Sequence, residues 1–111
     1  MSYIRLNNIL VARTFKFRLM GLMGKRKWPA ACGGLFFPEC RSLHTFFTFL
    51  KPDLVFVDKS RKILKIVPSA SPWNIFGGPD RCVDCFELPQ GLALKLGMRL
   101  NDVIHYLEKK E

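Results

Sequence analysis

Leu54-Val55-Phe56-Val57, then Asp58-Lys59-Ser60-Arg61, then Lys62-Ile63-Leu64-Lys65-Ile66-Val67, is the stretch on which the fold turns. Its first four residues are apolar without a break, so an extended segment here has no polar face. A strand of that kind is covered on both sides. Asp58 and Ser60 interrupt the run with side chains that bond backbone groups locally, and residues 62–67 return with branched and aliphatic side chains. The stretch predicts an antiparallel hairpin whose first strand is central in its sheet.

Downstream, residues 68–80 hold three prolines and Gly77-Gly78, which exclude a regular element. Trp73, Ile75 and Phe76 are too apolar for an idle linker, so the segment reads as a loop packed back on the body, of a length that is often functional. Residues 82–88 read as a strand ended by Pro89. A short helix follows, with Leu92 and Leu96 one turn apart and Gly97 closing it, and residues 103–107 form a last strand. Upstream, residues 43–50 are rich in aromatic and β-branched side chains, and residues 33–37 form a strand stopped by Pro38. Thr14 is placed to cap a helix over 15–23 with an apolar stripe of Phe15, Leu19, Leu22 and Met23 and with Gly24 at its end. Gly21 weakens that helix by about 1 kcal/mol relative to Ala. Residues 8–13 supply one more strand. The expected architecture is α+β and predominantly β: one compact domain over 1–111, with about seven mostly antiparallel strands. The sheet curls into a barrel-like or two-layer form and carries two short helices.

Forty-nine per cent of the 111 residues are hydrophobic, ten of them Phe, enough for one core and too many for a disordered chain. Eighteen Lys and Arg against nine Asp and Glu give a net charge of +9, which favours anionic partners. The basic residues nevertheless come in short groups, such as Lys25-Arg26-Lys27 and Lys59 with Arg61, Lys62 and Lys65. None reaches the run of about five or six expected of a binding tail. The N-terminus places Arg5, Asn7 and Asn8 where a signal peptide has its apolar centre. No apolar stretch approaches the roughly 20 residues of a membrane span. A cytoplasmic location without a membrane span is expected.

Several short motifs occur in a particular order: Ala12-Arg13-Thr14 with Arg18 and Gly21-Leu22-Met23-Gly24, Gly34-Leu35-Phe36-Phe37, Leu43-His44-Thr45-Phe46, Asp53 through Asp58, and Phe86-Glu87-Leu88-Pro89 with Gly91, Leu96-Gly97 and Asp102. With them the chain resembles the family known as domain of unknown function 192, over residues from about 10 to 107. The resemblance implies a small β-rich domain with no established reaction or cofactor. It also implies three departures: Phe17 stands where the family has a carboxylate completing a capping box, Phe47-Thr48 replaces a more polar run, and Asn101 replaces Gly.

Cys82-Val83-Asp84-Cys85, with Cys32 and Cys40, could supply four thiolates to zinc or a redox pair. Spacing opposes zinc: residues 82 and 85 lie in an apparent strand, where positions three apart face opposite sides, and Cys32 and Cys40 are not at knuckle spacing. They read as buried hydrophobes, and neither metal nor cofactor is expected. His44 and His105 are the only imidazoles; His105 reads as a surface residue. His44, Thr45 and Asp53, with Trp73 on the loop, could line a pocket for a small polar ligand. Alternatively, His44 and Thr45 satisfy backbone groups at a sheet edge. Glu87 alternates with Val83 and Cys85 on an apolar face and so needs a partner if buried; Arg18 beside the first helix is the candidate. No nucleophile elbow, phosphate loop or H-E-x-x-H occurs, and the many Phe read as core. The function that best fits is a non-enzymatic or accessory domain binding a small ligand or protein partner. The alternatives are a nucleic-acid-binding module acting through its basic surface and a hydrolase-like enzyme using His44 and Asp53.

Overall fold

The computed structural model describes residues 2–110. In chain order the elements are β1 (Tyr3–Val11), α1 (Phe15–Met20), β2 (Gly34–Phe37), β3 (Ser42–His44), β4 (Asp53–Val57), β5 (Ile63–Val67), β6 (Ile75–Gly77), β7 (Asp84–Leu88), α2 (Leu92–Lys95) and β8 (Val103–Glu108). Six strands form one sheet in the order β5-β4-β7-β2-β1-β8, and β3 pairs with β6 in a separate ribbon. The hairpin β4–β5 is antiparallel, as are β4–β7, β7–β2 and β3–β6, whereas β1 runs parallel to both β2 and β8. The result is a small β-rich domain with two short helices and a mostly antiparallel sheet. The edge strands approach each other through an isolated bridge between Lys62 and Val103, reinforced by Ile63 N–H on the Asp102 carbonyl at 2.8 Å. Among the described residues no closed barrel forms.

Alternation within the central strands gives each face of the sheet its own core. Phe36, Val55, Val57, Phe86 and Leu88 face one side with Ile4, Leu6 and Ile9, under Ala93 of α2 and Met98. Leu35, Phe37, Leu54, Phe56 and Cys85 face the other, covered by Leu22, Leu43, Ala70, Trp28 and Phe76. All five residues of β4 are buried, as a central strand covered on both sides requires.

Four sequence expectations are corrected. The strand expected over 43–50 stops at His44, because Thr45–Thr48 close into a turn, with Phe47 at φ +58°. The loop over 68–80 contains the three-residue strand β6, and only part of it packs inward: Ala70 is buried, whereas Trp73 and Ile75 are exposed. Helix α1 ends at Met20 with Gly21 as its left-handed terminus (φ +41°), one turn before Gly24. The side chains of Phe15 and Leu19, half of the expected stripe, lie outside the described residues. Finally, Phe47 and Phe49 are exposed rather than core.

Candidate functional site

The region under α1 gathers more of the expected polar residues than any other. Thr14 starts the helix, its Oγ1 accepting the Phe17 N–H at 3.0 Å. Gly21 ends it, donating its N–H to the Phe17 carbonyl at 2.8 Å. Between α1 and the sheet lies a pocket of about 400 Å³, walled by Leu10, Phe17, Met20, Pro29 and Leu35, with Lys16 and Lys25 also lining it. Met20, Gly21 and Met23 also line an inner cavity of about 50 Å³, which adds Arg18, Cys40, His44 and Glu87. A mainly apolar pocket therefore adjoins a small polar recess across the end of α1.

Glu87 dominates the recess. It is only 4% exposed, and a Cβ on Gly21 would stand 3.4 Å from its Oε1. Burial, followed by the charge of Cys40, pushes its carboxyl up to about 8, so at neutral pH it is largely protonated. The expected Arg18–Glu87 contact does not form. Arg18 instead donates to the carbonyls of Pro38 and of Glu39, the latter at 3.0 Å, so the guanidinium secures the turn that follows β2. A neutral carboxyl requires no counter-ion, and no hydrogen bond or ion pair to it occurs among the described residues. Half-buried His44 is stacked on Phe46 with centroids 5.3 Å apart, and its Nδ1 accepts the Phe46 N–H at 3.2 Å.

The remaining expected residues lie elsewhere. Thr45 is fully buried and structural. Its Oγ1 reaches the Ser71 carbonyl at 2.7 Å and accepts the Asn74 N–H at 3.0 Å, while its own carbonyl accepts Trp73 N–H at 2.9 Å. Those bonds fasten the turn after β3 to the loop before β6. Trp73 is exposed beyond them at φ +63°, edge-on to Phe47 at 4.6 Å. Asp53 is on β4 but among the residues of the α2 side, and its two oxygens accept the N–H groups of Ser69 and Ala93, each at 2.9 Å. Gly91, the N-cap of α2, has no side chain to cap it, and Asp53 does so from the neighbouring strand. His44 and Asp53 are therefore separated by the sheet and form no joint acid–base site.

The cysteines also depart from expectation. All four belong to the α1-side core, because β7 begins only at Asp84 and Cys82 sits in the preceding turn, where strand alternation does not apply. The Cys85 thiol donates to the Cys40 carbonyl at 2.8 Å and lies against the sulfurs of Cys40 and Cys82. Among the described residues no group of three or more His, Cys, Asp or Glu is arranged to hold a metal ion.

Several residues of this site escaped the sequence reading: Leu10, Lys16, Met20, Met23 and Lys25. Gly21 carried the one usable signal, a glycine interrupting a helical pattern, which here marks the helix terminus that admits the Glu87 carboxyl.

The profile of the DUF192 family, described as an uncharacterized ACR, matches residues 4–106. The chain belongs to the DUF192 family. Two solved structures are similar to this DUF192 chain. One is a protein of unknown function from Novosphingobium aromaticivorans DSM 12444, at 24% identity and TM-score 0.73, covering 86% of this chain and 71% of that one. The other is described as a "putative transcription regulator" from Sinorhizobium meliloti 1021, at 25% identity and TM-score 0.74, covering 86% of this chain and 78% of that one. No curated protein matches. The DUF192 resemblance expected from the motifs is thus borne out. No helix is long and apolar enough to cross a membrane among the described residues.

Proposed function

We propose that this chain is a single, non-enzymatic cytoplasmic domain that binds a small amphiphilic carboxylate under α1. The apolar body of the ligand would lie against Leu10, Met20 and Leu35, with its oxygens toward Glu87 and Arg18. The supporting observation is the Glu87 carboxyl, largely protonated and without a hydrogen-bond partner among the described residues, lining a recess that shares Met20, Gly21 and Met23 with an apolar pocket. The Glu87 carboxyl faces the recess, where a carboxylate oxygen would accept its proton. Sites of this kind, mostly apolar with a few convergent polar groups, are those that take small ligands.

Decanoate is the probe, followed by amide chemical shifts. Decanoate should shift Gly21, Leu35 and Cys40 saturably, and Glu87→Ala should weaken it by about tenfold, the scale of one buried hydrogen bond. Equal shifts at the same residues from decyltrimethylammonium would overturn the reading. A nucleic-acid-binding module is the second reading, supported by the net charge of +9 and by the description of the Sinorhizobium relative. Retention on duplex DNA that falls steeply with salt, with no response to decanoate, would favour it.

A further inference from the structure

Two thiols, one lining the recess and one behind it, form an asymmetric pair. Cys40 lies in the turn after β2, its N–H held by the Val83 carbonyl at 2.9 Å. Cys85 lies on β7 opposite Phe37 of β2. The Cys85 thiol is bonded to the Cys40 carbonyl at 2.8 Å and lies beside the Cys40 sulfur. Cys40 is partly exposed and reachable from the recess, whereas Cys85 is buried behind it. One sulfur can therefore meet a solvent-borne reagent, and the other already stands at its back.

The local chemistry sharpens the asymmetry. The contact of the Cys85 thiol with the Cys40 sulfur, distinct from its bond to the Cys40 carbonyl, is the main cause holding the Cys40 thiol down at about 6, against burial, with the Ser42 backbone and the Arg18 charge assisting. The same contact, followed by burial, pushes Cys85 well above the ordinary thiol range. In the reduced chain the Cys40 thiol donates to the Ser42 carbonyl at 3.0 Å. Of the two sulfurs Cys40 is the one that gives up its proton more readily, which makes it the attacking and Cys85 the resolving cysteine.

We propose that Cys40 and Cys85 form a hydroperoxide-responsive dithiol. The Cys40 thiolate attacks the O–O bond of a hydroperoxide. One oxygen stays on sulfur as the sulfenic acid, and the other leaves as an alkoxide or hydroxide that takes up a proton. The Cys85 thiol then attacks the Cys40 sulfur, closing a disulfide and releasing water. The two thiols lose two electrons and the peroxide gains them. The inference rests on the sulfurs alone and stands whether or not the α1 pocket takes a carboxylate.

Hydrogen peroxide on the reduced wild-type chain, with peptide mapping by mass spectrometry, is the test. The expected product has lost two hydrogens per chain, contains a Cys40–Cys85 crosslink and reverts with dithiothreitol. Before oxidation, Cys40 should alkylate with iodoacetamide at pH 7 at least about tenfold faster than the other three cysteines. Cys82→Ser should still form the crosslink. Cys85→Ser should stop at a Cys40 sulfenic acid that dimedone traps. The wild-type map and alkylation rates need no variant, so a Cys85→Ser chain that fails to fold leaves the test intact. A crosslink that uses Cys82 in place of either partner, or four cysteines alkylated at one rate, would overturn the proposal.

Discussion

Glu87 stands between Leu35 of β2 and Leu54 of β4, and its carboxyl titrates near 8 in the fold against an ordinary 4.5. The folded chain therefore keeps a proton that the unfolded chain loses. The stabilisation is complete below pH 4.5 and is lost as pH rises to about 8, on the order of 5 kcal/mol over the window. Cys40, titrating near 6, works the other way above that pH, so the difference between wild type and Glu87→Gln isolates the carboxyl. In urea denaturation the variant should lie within about 1 kcal/mol of wild type near pH 5 and be several kcal/mol more stable near pH 8.5. Stability curves that stay parallel would mean that the carboxyl is solvated. The burial of Glu87 was legible because it alternates with Cys85 on an apolar face. Its lack of a cation was not, because Arg18 had a nearer use in the carbonyls of residues 38 and 39. Asp53 was legible as a chemically capable residue but not as a cap: its partners Ser69 and Ala93 are 16 and 40 positions away. No local pattern encodes such a meeting.

At the scale of elements, β1 shows how a strand can hide from periodicity. Leu6 pairs with Tyr106 and Ile9 with Glu108, so β1 carries one extra residue between them, a bulge with Asn8 at φ +55°. The insertion keeps Ile4, Leu6 and Ile9 in the same core, where strict alternation would turn Ile9 away. From sequence only 8–13 read as a strand, because Arg5, Asn7 and Asn8 break the pattern. Gly33 seals the bulge: its N–H bonds the Asn8 carbonyl at 2.8 Å, and a Cβ there would stand 1.9 Å from the Asn7 carbonyl oxygen. Gly33→Ala should cost about 3 kcal/mol or more in thermal or urea unfolding. Gly77→Ala, with nothing within 4 Å of the added methyl, should cost much less. Equal losses at the two positions would remove the bulge from this account. The same logic explains β6, three residues whose strand character comes from pairing with β3 and from the Thr45 clamp rather than from their own pattern.

For the whole molecule, the two cores are two faces of the same strands: Leu35 and Phe37 face one core and Phe36 the other, and Leu54 and Val55 divide in the same way. Neither face can melt while the other keeps its backbone, so unfolding should be one cooperative event despite the helices lying on opposite sides. Trp28 packs against the α1-side core and, once Trp73→Phe removes the other tryptophan, reports on it by fluorescence, whereas far-UV circular dichroism reports on the sheet as a whole. The two denaturation curves should coincide in that Trp73→Phe background, which also carries the variant below. Leu88→Ala removes a fully buried side chain from the α2-side core, at a cost of about 2–5 kcal/mol. Although Trp28 belongs to the other core, its transition should move with the circular dichroism by the same amount and with unchanged steepness. A Trp28 midpoint left in place while the circular dichroism shifts would mean that the faces unfold separately, and the shared-strand account of stability would fail.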